Sequence, residues 1–167
     1  MSHEDQALTI SNPRLLAAVY FALLAVIATC IIDIIFYLIG TEQFLPLFKA
    51  ILLAVLVAGC FGAIFGESII HSKKPYRRKA FLYGFLMVIA ALPFYVLGFL
   101  LLTNNFTMAF TSANLRDAFF DYLFTLFYSF ILAGLWLAIA AGFAAMYLRG
   151  HIVYDILHSK YRRKRAL

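Results

Sequence analysis

Two carboxylates, Asp33 and Glu67, stand inside long apolar runs of this 167-residue chain. Ionisable groups at membrane depth are where function is first sought. An uncompensated carboxylate at the centre of a bilayer costs about 2.5–3.5 kcal/mol on insertion scales, so each must be protonated, wetted or paired. Asp33 falls six residues before the end of its run at Ile39. Lys49 and Arg116 stand at a compatible depth, so a structural ion pair is the first expectation for Asp33 and an ion or proton site the competing one. Glu67 lies close to a basic stretch, and snorkelling toward Lys73 or Lys74 accounts for it without a function. Asp117 and Asp121, one turn apart at the start of an apolar run, suit the positive end of a helix.

The other chemistry-bearing residues are sparse. Cys30 and Cys60 lie within apolar runs, without CxxC spacing or a neighbouring histidine, and read as small packed residues. The histidines, His3, His71, His151 and His158, do not face one another from within helices, which disfavours haem ligation. His151 and Asp155 are one helical turn apart, but two ligands on a polar segment make a poor metal site. Neither HExxH, a P-loop, GxGxxG nor GxSxG occurs. The expectation is a protein that is not an enzyme and uses no metal or cofactor.

Positive charge is the most patterned feature. Five of the fourteen Lys and Arg residues lie in 73–79 and six more in 149–165. The first cluster holds Lys73, Lys74, Tyr76, Arg77, Arg78 and Lys79; the second holds Lys160, Tyr161, Arg162, Arg163 and Lys164. Apart from the Lys74-Pro75 insertion, the pattern HSK–YRRK occurs twice, from His71 and from His158, each time after a pair of apolar runs. This echo suggests two tandem helical hairpins related by an axis along the membrane normal. Tyrosine among cations suits anionic headgroups, each Lys or Arg contributing on the order of 1 kcal/mol. The charge punctuates apolar runs instead of coating a soluble face, so nucleic acid is not an expected partner.

The elements that must carry these residues follow from composition. Apolar residues make up 65% of the chain and charged ones 13%, where a soluble domain is roughly half apolar. The polar shell is too thin for a water-soluble globule. The fold class expected is an all-α membrane protein with four transmembrane helices at about 15–39, 44–70, 80–102 and 118–148. A polar N-terminus (1–14) precedes this domain (15–148), and a basic tail (149–167) follows it. Pro13 suits the first turn of a helix, and Pro93 predicts a bend within the third. No basic segment precedes the first run, so a cleaved signal peptide is not expected. The basic loop and tail place both termini in the cytoplasm by the positive-inside rule. A bacterial inner membrane is the expected location.

Small residues recur every fourth position at Ala54, Ala58, Gly62 and Gly66, and again at Gly134, Ala138 and Gly142. Such stripes let helix backbones approach closely, and these two predict packing of the second span on the fourth, or on a partner subunit. Interaction surface without recognisable chemistry points to an accessory or scaffold subunit, a homo- or hetero-oligomer in contact with membrane lipids. A small oligomeric transporter or channel using Asp33 is the alternative.

Overall fold

A computed structural model of the chain describes residues 12–40, 46–72, 76–103 and 115–152. Those residues are helical, with no strand among them. Helix α1 spans Pro13–Ile39, α2 Leu47–Ile70 and α3 Tyr76–Leu102. The last segment comprises α4 (Leu115–Ser129), a π-helical turn (Phe130–Gly134), α5 (Leu135–Tyr147) and a second π turn (Leu148–Ile152). Ser129 and Gly134 keep right-handed helical dihedrals, so α4 runs into α5 without a break. Four helices are thus long and apolar enough to cross a membrane, the requirement for an integral membrane protein.

Local chemistry sets most of the ends. Pro13 occupies the first turn of α1, where a missing N–H costs nothing. Gly40 closes the helix at φ +76°, a left-handed conformation that glycine adopts without strain, and its N–H bonds the Tyr37 carbonyl at 3.1 Å. Pro46, with extended backbone, precedes α2, and its carbonyl accepts from Lys49 N at 2.9 Å. α2 therefore begins later than the apolar run, at Leu47.

Other boundaries also depart from the expected spans. α3 begins at Tyr76, so Arg77, Arg78 and Lys79 belong to its first turn and not to a loop. All three are exposed; long cationic side chains reach water while their backbone stays helical. The fourth segment is longer than expected at both ends and carries the two π turns, each of which inserts a residue into the helical register.

The helices pack in chain order, α1 on α2, α2 on α3 and α3 on α5. Their common core gathers at the end where α2 passes into α3, here the basic end. It comprises Ala17 and Phe21 of α1, Ile69 and Ile70 of α2, Ala80 and Met87 of α3, and Ala145 and Leu148 of the last segment. The Tyr20 hydroxyl donates to the Ala144 carbonyl at 3.2 Å and ties α1 to α5. At the far end α1 stands apart: each residue from Ile34 to Gly40 is exposed. Large apolar side chains such as Leu52, Leu86, Phe124 and Trp136 face outward, as a lipid solvent permits.

Candidate functional site

The small residues position everything else. A Cβ on Gly66 would lie 2.7 Å from Ala17 Cβ and 3.1 Å from the Pro13 carbonyl. One on Gly62 would lie 3.0 Å from the Ala17 carbonyl and 3.2 Å from Ala18 Cα. The α2 stripe therefore receives the backbone of α1, not the fourth span. Ala54 is buried on α2 and Ala58 half-buried. On the last segment Gly134, Ala138 and Gly142 are all buried. Gly134 meets Leu92 and Gly142 meets the Phe81 ring, so that stripe faces α3. The expected α2-to-fourth-span pairing is thus corrected: a stripe shows which face of a helix is narrow, not which neighbour fills it. Gly84, which lies outside the two expected stripes, marks a close approach of α3 to α5. Its Cβ would stand 2.6 Å from both the Ala141 carbonyl and Ala145 Cβ.

Close packing of α1 on α2 brings the first turn of one beside the last turn of the other. There Arg14 Nη2 donates to Glu67 Oε2 at 2.8 Å, and Arg14 Nε to the same oxygen at 3.2 Å. Glu67 is therefore paired with Arg14; Lys73 and Lys74, toward which it was expected to snorkel, lie outside the described residues. The two side chains are 71% and 53% exposed, so the pair contributes at most about 1 kcal/mol where water reaches it. A signal for it existed in the sequence. Arg14 is the lone cation at the start of the first span, and antiparallel neighbours bring that start level with the end of the second.

Around this pair lies an open cavity of about 490 Å³. α1 contributes Arg14 and α3 contributes Lys79 and Tyr83, while α2 contributes Ile64, Glu67, Ser68 and His71, with Ser72 just beyond it. The α2 residues follow helical spacing (i, i+3, i+4, i+7), so one face of α2 forms the floor. Behind it Arg149, only 6% exposed, donates through Nη2 to the Ser72 carbonyl at 3.4 Å. Its charge lies at the C-terminal end of α2, where a cation offsets the helix dipole. The Ser72 hydroxyl turns back to the Ile69 carbonyl at 3.0 Å.

A second cavity of about 490 Å³ lies between α3 and α4 and is almost wholly apolar. Pro93 borders it on α3 and Leu126, Phe127 and Phe130 on the other side. Proline at position 93 has no N–H for the helical ladder. The Tyr122 hydroxyl donates to the Pro93 carbonyl at 3.3 Å, buttressing α3 from α4 at that level.

The remaining candidates are dispersed. Asp33 is half-buried in the last third of α1, away from the core and toward the end opposite Glu67, so the two carboxylates do not share a site. Cys30 is half-buried and Cys60 exposed, both as free thiols. Among the described residues no group of three or more His, Cys, Asp or Glu could hold a metal ion. Asp155 and the second basic cluster, Lys160, Tyr161, Arg162, Arg163 and Lys164, lie outside the described residues. Compared with models of protein families, with curated proteins and with solved structures, the chain matches none.

Proposed function

We propose that this chain is an accessory or scaffold subunit of a larger membrane assembly, set in the inner membrane of a bacterium. Both termini and the α2–α3 connection face the cytoplasm in this reading, and the two basic clusters close two tandem hairpins on that side. The observation that carries the proposal is the division of labour between interior and exterior. Ala17, Phe21, Ile69, Met87 and Leu148 join the helices in one apolar core at the basic end. The polar side chains of the basic-end cavity lie at the helix ends, beside that core. The small-residue stripes are used within the chain, which leaves the outward apolar faces for lipid or a neighbouring subunit. Anionic lipids and other membrane proteins are its proposed partners.

Extraction in a mild detergent through a terminal tag, followed by native electrophoresis, tests this reading. A stable complex with another integral membrane protein, or with further copies of the chain, is expected. A strictly monomeric chain that co-isolates with nothing overturns it. Gly62 is a poor probe of assembly, because a larger residue there disrupts the α1–α2 contact first.

A small oligomeric transporter or channel is the competing reading. Asp33 favours it, as a half-buried carboxylate outside the packed core. An aqueous path past Asp33 would then run between copies of the chain. Transport in reconstituted vesicles that survives Asp33→Asn removes that mechanism.

A further inference from the structure

The cavity at the basic end combines features that no packing role requires. Its wall is polar on three helices, yet Ile64, an exposed apolar residue, continues it along α2 toward the centre of the span. A ligand filling it must therefore be polar at one end and apolar at the other.

The charge balance selects the polar end. Arg14 and Glu67 neutralise each other, while Lys79 forms no ion pair among the described residues. One net positive charge faces the cavity. Lys79 also lies in the first turn of α3, where backbone N–H groups lack helical partners and the dipole is positive. The C-terminal end of α2 would repel an anion, but the buried Arg149 at the Ser72 carbonyl offsets it. His71 also borders the cavity, with its Nε2 atom enclosed and without a hydrogen-bond partner among the described residues. Ser68 is exposed beside it as a further hydroxyl.

From this arrangement we infer that the cavity between α1, α2 and α3 is a binding site for the phosphate of an anionic phospholipid. Lys79 supplies the positive charge and Ser68 a hydroxyl. Tyr83 and Ile64 border the path of the acyl chains. The inference deepens the proposed contact with anionic lipids and turns a diffuse basic surface into one defined site. It stands or falls separately from the scaffold role, since lipid binding and co-isolation of a partner are read in different experiments.

Native mass spectrometry of the purified chain in detergent, titrated with phosphatidylglycerol or phosphatidylcholine, tests it. One phosphatidylglycerol is expected to bind ahead of all others, with phosphatidylcholine clearly weaker. Lys79→Gln should weaken that first adduct about fivefold, the loss of one cation near a headgroup. Ser68→Phe, at an exposed position, should abolish it by filling the cavity while leaving helix content unchanged. Arg77→Gln/Arg78→Gln removes two exposed cations outside the cavity lining and should weaken it less than twofold. Equal affinity for the two lipids, or an equal loss in the Arg77/Arg78 variant, overturns the site. Displacement of the lipid by millimolar inorganic phosphate alone also overturns it, because the pocket would then recognise free phosphate and not a lipid.

Discussion

In the α1–α2 pair the critical glycines lie on one helix, and what they meet is largely backbone: the Ala17 and Pro13 carbonyls and the Ala18 and Arg14 Cα atoms. In the α3–α5 pair glycines lie on both helices, and their contacts differ in kind. Gly84 meets the Ala141 carbonyl and Ala145 Cβ, whereas Gly134 and Gly142 are notches for the Leu92 and Phe81 side chains. The first type sets the distance between helix axes, and the second accommodates a protrusion that can move. The HSK–YRRK echo does not carry this packing with it. Gly62 and Gly66 stand nine and five residues before His71, but Gly142 stands sixteen before His158. If the two hairpins are copies, their contacts have diverged while their basic ends have not.

That distinction can be broken most directly at Gly84. Alanine there sets a methyl 2.6 Å from a carbonyl and from another Cβ, neither of which moves unless the helices separate. Gly84→Ala should cost about 2 kcal/mol, overpacking outweighing the gain in helix propensity. Unfolding in mixed micelles titrated with a denaturing detergent would reveal it; an unchanged midpoint contradicts the assignment. Gly66→Ala comes next, at about 1–2 kcal/mol. Adding Ala17→Gly removes the Cβ that lies 2.7 Å away and should recover at least part of the loss. A double variant no better than the single one would locate the strain elsewhere.

Tyr20→Phe removes the hydroxyl that joins the two helix pairs through the Ala144 carbonyl. About 0.6 kcal/mol is expected, the average for such bonds within membranes. The effect should show as a small shift of the same unfolding midpoint, and a loss above about 2 kcal/mol would mean that Tyr20 organises more than one bond. Smallest of all should be Gly134→Ala. Leu92 Cδ1 is close, at 2.5 Å, but it is the end of a flexible side chain. A rotamer change offset by helix propensity should leave stability within about 0.5 kcal/mol. A loss there as large as at Gly84 would erase the difference between spacing contacts and notches.

How far these features could be read in advance depended on their range. Gly40 and Pro46 mark the ends of α1 and α2 because a positive φ and a missing donor act on single residues. The start of α3 was misplaced by charge, since Arg77, Arg78 and Lys79 look like a loop although arginine and lysine are good helix formers. The π turn at Phe130–Gly134 has no signature of its own in composition. Its last residue, Gly134, lies against Leu92 of α3, a contact that only the two helices together define. Of the basic-end cavity, Lys79 and Glu67 were candidates on their own, while Arg14, Ser68 and Tyr83 became part of one site only when three helix ends met.

The sequence by itself determined that the chain forms four apolar helices, roughly where they begin and end, and which faces are narrow. Hydropathy and helical periodicity are sums over neighbouring residues, and each helix satisfies its own backbone hydrogen bonds. Tertiary structure alone decided which narrow face meets which helix, that Glu67 pairs with Arg14, and that a polar cavity forms beside them. The reason is that apolar surface gains little by moving from lipid to another helix, so packing at contact distance chooses partners among faces that hydropathy leaves equivalent.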